Sequence, residues 1–120
     1  MGRILLMFVL LAACGPPRYS CGCPDQPAQL LLHVLDAATS IPVDNPTFSE
    51  GGAALNPYCS EPGDGGNGCG TWAIQMSGHH VVTVVAAGYT AQTLTVDIAR
   101  GAGGCCSRGE QLEKTVTLTH

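Results

Sequence analysis

The chain predicts an all-β fold, a seven-stranded β-sandwich that follows a leader and a short tether. Three observations predict it. From residue 29 onward apolar and polar residues alternate with period two, as in strands that bury one face. Short runs of this kind are separated by Gly, Pro, Ser and Asn turn signals. Charged residues are only 12% of the chain while Thr, Val, Ala and Gly are frequent, which favours strands over helices. No segment after the leader carries a 3.6-residue period.

Residues 1–13 have the anatomy of an export signal. Arg3 precedes an unbroken apolar run over 4–11, and small residues follow at Ala12 and Ala13. The run is too short to span a bilayer, which takes about 20 residues. Cys14 stands where cleavage falls. Leu11-Ala12-Ala13-Cys14 resembles the lipobox of bacterial lipoproteins, whose cysteine is acylated and becomes the first mature residue. That resemblance implies palmitate-type acyl chains on Cys14, a membrane partner reached through that anchor, and a place in the cell envelope. Gly15 is not the Asp that retains lipoproteins at the inner membrane in enterobacteria, so the analogy favours the outer membrane. Residues 14–28 read as the lipidated cysteine and a Pro/Gly/Cys-rich tether, and 29–120 as one domain.

The strands follow in order. Leu30, Leu32 and Val34 form one row of the first, with Leu31, His33 and Leu35 on the other. Ser40-Ile41-Pro42 turns the chain, and Asn45-Pro46 confines Pro46 to an edge or a strand's first residue. The Gly-rich insert 50–70 lies outside the alternating pattern. Trp72, Ile74 and Met76 point inward against Thr71, Ala73 and Gln75. Ser77-Gly78 stands at hairpin distance before the next strand. There Val82, Val84 and Ala86 face inward, and an apolar outer row of Val81 and Val85 expects a central or covered position. Gly88 breaks the junction to Leu94, Val96 and Ile98. A loop over 101–109 leads to the last strand, with Val116 and Leu118 inward. The expected core is Leu32, Val34, Trp72, Ile74, Val82, Val84, Leu94, Val96, Val116 and Leu118.

Three segments of this frame resemble carboxypeptidase-regulatory-like domains. Residues 34–43, Val-Leu-Asp-Ala-Ala-Thr-Ser-Ile-Pro-Val, look like their opening V-x-D-A-x-T-G-x-P-V strand and turn. Gly70-Thr71-Trp72-Ala73-Ile74 resembles their G-x-[YFW]-x-[LIV] strand, and residues 82–89, ending in Gly88-Tyr89, their V-x-V-x-A-x-G-Y segment. The resemblance covers about 29–119 and implies a transthyretin-like β-sandwich without catalytic residues. Ser40 departs from it at a turn glycine, which implies a somewhat different turn, and the insert 50–70 departs from it altogether.

The cysteines bear on compartment. Seven are present; assigning Cys14 to lipid leaves Cys21, Cys23, Cys59, Cys69, Cys105 and Cys106, an even set suited to disulfides in an exported chain. Zinc is disfavoured, because neither Cys21-Gly22-Cys23 nor Cys105-Cys106 has the C-x2-C spacing of structural sites. Cys59 and Cys69 flank a short Gly-rich loop and are expected to pair. If the Trp72, His80 and Leu94 strands form consecutive hairpins, Cys69 lies far from Cys105 and Cys106, leaving those two for Cys21 and Cys23. A Cys105–Cys106 ring is the alternative.

Functional motifs are sparse. His79 and His80 are adjacent on a strand, so they point to opposite faces and do not chelate one metal. His33 beside leucines reads as a bonded, half-buried histidine. Glu61, Asp64 and Asn67 offer oxygens for calcium but lack EF-hand spacing. No cofactor or catalytic motif appears, and with four basic against nine acidic residues once Arg3 has left with the leader, nothing suggests nucleic acid. The expectation is a non-catalytic binding or structural module at the cell envelope, whose partner is an envelope protein or glycan. The alternative is a carbohydrate- or peptide-binding lipoprotein using residues 50–70.

Overall fold

A computed structural model describes residues 26–63, 68–101 and 108–120. Cys14, Cys21, Cys23, Cys105 and Cys106, with Asp64 and Asn67 of the calcium reading, lie outside the described residues. Among the described residues the fold is all-β, with eight strands rather than seven: β1 (Gln29–Asp36), β2 (Thr47–Glu50), β3 (Ala53–Ala54), β4 (Tyr58–Pro62), β5 (Cys69–Gln75), β6 (Gly78–Val85), β7 (Gln92–Ile98) and β8 (Gln111–Leu118). They form two four-stranded sheets, ordered β4-β5-β1-β8 and β3-β2-β6-β7. The insert supplies β3 and β4, one edge strand of each sheet.

Each long strand buries its alternate row because one face of each sheet meets a common core. Leu30, Leu32, Val34, Val82, Val84 and Leu118 are the large side chains almost wholly withdrawn from solvent. Ile74, Val96 and Val116 join them as expected, and so do Ala28, Val43, Phe48 and Ile98. Trp72 and Leu94 are half-buried and pack against this cluster. Full burial of a Leu or Val contributes roughly 1.5–3 kcal/mol, so this set supplies most of the drive to fold.

β1 is the hub of its sheet. It runs antiparallel to β5, with Leu32 opposite Trp72, and parallel to β8, with Gln29 opposite Gln111 and Asp36 opposite Leu118. The β8 register continues outside the strands, because Gln26 bridges Arg108 with the same offset. There Gly109 donates to the Gln26 carbonyl at 2.8 Å, and Arg108 Nε to Gln26 Oε1 at 3.0 Å. Gly109 is needed at this crossing: a Cβ on it would stand 2.2 Å from the Ala28 nitrogen.

The junction at Ser77-Gly78 is not a hairpin. β5 and β6 belong to different sheets, so the chain crosses the core edge there, with Gly78 at φ 96. Consecutive hairpins are therefore the wrong premise for placing Cys69. Its separation from Gly101 and Arg108 still follows, by another route. Cys69 begins β5 at the end where β1 finishes, whereas Gly101 and Arg108 flank the opposite end, where β1 begins. β6 is an interior strand as expected, yet Val81 and Val85 on its outer row are 44% and 41% exposed.

Ser40 has φ 58, in the left-handed region that glycine enters most freely, so this turn holds a non-glycine residue at positive φ. Pro46 directly precedes β2, where its missing N–H takes nothing from the ladder.

One flank of the structure is closed and the other is open. Thr90 donates to the Thr119 carbonyl at 2.7 Å and Glu110 to the Ala99 carbonyl at 3.1 Å, which fastens both ends of β7 to β8. On the other flank the edge strands β3 and β4 belong to different sheets, and the link between them leaves a groove.

Candidate functional site

The groove, of about 560 Å³, has one wall from the insert and one from β5. Glu50 ends β2, and Gly51 and Gly52 (φ 57 and 83) form a two-residue turn into β3. Positive φ at both central residues is the hairpin geometry that glycine pairs favour. Ala54, Leu55, Asn56 and Tyr58 then line the near wall, and Ile74, Gln75 and Met76 the far wall. Tyr58 is 45% exposed, and its hydroxyl accepts a bond from Gln29 Nε2. By register it sits beside Ala73 on the outer face, which accounts for an alanine on that face having no exposure.

His80 and Glu50 close one end of the groove. The His80 ring meets Glu50 through Nδ1, at 2.8 Å from Oε2, and the Ser77 carbonyl through Nε2, at 2.7 Å. Both partners are acceptors, so both bonds form only when the ring carries two protons. Val81 N–H donates to the same Glu50 Oε2 at 3.0 Å. The bond from His80 pulls the Glu50 carboxyl below its ordinary value, and the bonds to Glu50 and to the Ser77 carbonyl push the His80 ring above its own. This pair ties β2 to the sheet crossing before β6. His79, on the opposite face, is exposed and meets Asp97 at 2.7 Å.

Two other polar clusters serve different ends. At the far end of β1, Asp36 is buried and accepts four bonds: from Ala38 and Thr39 N–H at 2.7 and 3.0 Å, Tyr89 Oη at 2.8 Å and His120 Nε2 at 3.0 Å. Donation from Tyr89, then from Thr39 and Ala38, holds the Asp36 carboxyl well below the usual carboxylate range, and the same contact pushes the Tyr89 phenol up. His120 stacks on Tyr89 at 4.3 Å and bonds the Gly88 carbonyl through Nδ1. The cluster fastens the first turn, the β6–β7 junction and the last residue to one another. A cleft of about 530 Å³ lies beside it, but the polar atoms of Asp36 are already engaged.

On the outer face, His33 is half-buried and bonded on both sides, to Thr71 Oγ1 at 3.0 Å and to Glu113. The order hydroxyl, imidazole, carboxylate resembles a nucleophile relay, and no sequence spacing announces it. Thr71 is only 4% exposed, and with His33 it lines a cleft of about 370 Å³. The contacts pin β5, β1 and β8 to one another across that face.

Cys59 and Cys69 stand at disulfide distance, their Cα atoms 5.6 Å apart. Among the described residues no three His, Cys, Asp or Glu side chains gather as metal ligands, and no helix is long and apolar enough to cross a membrane. Of the residues that the sequence put forward, the structure brings His80 to the groove and leaves His33 and His79 elsewhere. Glu50 and Tyr58, on the insert, were within the segment expected to carry specificity; Gln75 and Met76 were read only as strand residues. No family model matches the chain, and no curated protein matches it.

Proposed function

We propose that this protein is a lipid-anchored cell-envelope module with a non-catalytic binding role, and that the insert-lined groove is its binding site. The observation that carries the reading is the groove itself: the insert that departs from the alternating strand pattern forms its near wall, with exposed polar and aromatic side chains turned to solvent. A loop segment grafted onto a rigid sheet frame is where such scaffolds carry recognition. The Leu11-Ala12-Ala13-Cys14 site supports anchoring at Cys14, and Gly15, which is not the retaining Asp, favours the outer over the inner membrane. The chain enters the described fold at Gln26, at the same end of β1 as the groove. Twelve residues beyond Cys14 reach at most about 40 Å when extended, so an anchored groove stays near the membrane surface. The resemblance to carboxypeptidase-regulatory-like, transthyretin-like domains gains support from the Tyr89–Asp36 bond, which joins two of the segments that carry it.

Cys14→Ser tests the anchor. The variant is expected to leave the membrane fraction and to take up no labelled palmitate, whereas unchanged membrane association overturns the lipoprotein reading.

A further inference from the structure

We infer that the groove takes a neutral glycan, with the Tyr58 ring as its stacking platform. This rests on the proposed binding role and names the class of ligand. Charge is the first argument. The ionisable groups lining the groove are Glu50, His80 and Tyr58, and the first two are spent on each other. Among the described residues no lysine or arginine lines it. Among the described residues a phosphate or carboxylate ligand therefore finds no unpaired cation, and a cationic ligand finds the Glu50 carboxylate already paired with His80.

What is free to bind is neutral. Asn56 and Gln75 are exposed and carry amides, each both donor and acceptor, which is what a vicinal diol asks for. The Tyr58 hydroxyl is held by Gln29, which fixes the ring while leaving it 45% exposed. An exposed, fixed aromatic ring lining the same groove as the half-buried Leu55 and Met76 offers an apolar surface to the C–H face of a sugar. A volume of about 560 Å³ is within the usual size of a small-ligand site.

The strand edges decide against an extended peptide. Added strands need a regular edge to pair with. β3 has only Ala53–Ala54, while β4 is interrupted by register shifts on both sides of Glu61 and ends on Pro62. Such short, bulged, proline-marked edges are the kind that refuse a further strand.

The test uses the full-length chain, 15N-labelled, in lauryldimethylamine oxide micelles, a detergent without a sugar headgroup. Cellotetraose, maltotetraose, xylotetraose and tetra-N-acetylchitotetraose are titrated to ~10 mM, enough to detect a Kd near 1 mM. At least one is expected to shift the amides of Asn56, Tyr58 and Gln75. Tyr58→Ala is expected to weaken that binding ~10-fold or more, while Tyr58→Phe retains most of it. Asn56→Ala, in the exposed β3–β4 link, is a second variant in case Tyr58→Ala perturbs the fold, and it too is expected to weaken binding. The inference is overturned if none of the four probes shifts the groove amides, or if tetragalacturonate or an extended Gly/Thr peptide binds there more tightly. Cleavage of a bound probe in the same sample would instead overturn the non-catalytic reading and leave the glycan assignment standing.

Discussion

Trp72 offers the sharpest test of how the two sheets meet. It is the only tryptophan in the chain, on the inner row of β5, opposite Leu32 on one side and Cys59 on the other. Its ring meets Phe48 of the facing sheet at 5.9 Å and 56°. The side chain is half-buried, yet its indole Nε1 is sealed from solvent with no hydrogen-bond partner among the described residues. Trp→Ala in a core typically costs about 3–5 kcal/mol. Half-burial puts Trp72→Ala at the low end, with a share of about 0.5–1.5 kcal/mol from the lost Phe48 pair. Removing an unpartnered buried N–H recovers about 1 kcal/mol of its desolvation cost. The expected loss is therefore about 2–3 kcal/mol, large against the ~5–15 kcal/mol of a small domain. Trp72→Phe keeps a ring against Phe48 and sheds the same N–H, so its cost is expected below about 1 kcal/mol. Urea denaturation followed by far-UV circular dichroism measures both, since each variant lacks the fluorophore. If Phe costs as much as Ala, the N–H is bonded and the orientation of the ring is wrong. If Ala costs almost nothing, Trp72 is not on the inner face.

Gly109→Ala is expected to lose about 1–3 kcal/mol or more in the same assay, because the new Cβ meets Ala28 backbone atoms at 2.2 and 2.5 Å and must part β1 from β8; a native midpoint would refute that close approach. The Glu50–His80 pair sets a pH window. Glu50, lowered in the fold, stabilises above its ordinary value of 4.5 and loses that contribution as pH falls through its folded value. His80, raised in the fold, stabilises fully below 6.5 and loses that contribution as pH climbs through its higher folded value. Stability from the pair is therefore greatest between about 4.5 and 6.5, and Glu50→Gln is expected to flatten the profile there; an unchanged profile would show that the pair does not form. Non-reducing peptide mapping is expected to link Cys59 to Cys69, a bridge worth ~2–4 kcal/mol. Cys105 and Cys106 are expected to link to Cys21 and Cys23; a peptide joining Cys69 to Cys105 or Cys106 would overturn the scheme.

The long strands were legible because each has one buried face, and burial forces period two onto the residues. β3 and β4 were not, for the same reason inverted. All seven of their residues are exposed, so nothing constrained them to alternate. Gly51-Gly52 was the available signal, since a glycine pair between short runs marks a two-residue hairpin. The Ser77-Gly78 junction misleads for a subtler reason. Trp72 and Ile74 on one side and Val82 and Val84 on the other all face one core. An inward row reads the same whether its neighbour lies beside it in one sheet or across the core in the other. Period therefore yields faces, and only long-range pairing yields sheet membership.

The site shows the same division between what is local and what is distant. Adjacent histidines on a strand must diverge, and His79 and His80 do. The partner of His80 is Glu50, thirty residues earlier, and no spacing rule joins them. Likewise Asp36 and Tyr89 were visible as residues of two separate segments, but not as one hydrogen bond that also recruits His120. The groove is the extreme case. Its near wall is an edge hairpin and link without a pattern, its far wall the end of a strand whose inner row already had a reading in the core. A site of this kind arises where two sheets fail to meet along a flank. The cost of leaving Leu55 and Met76 half-buried there is a standing loss of hydrophobic burial in the free protein, and a ligand that covers them recovers it.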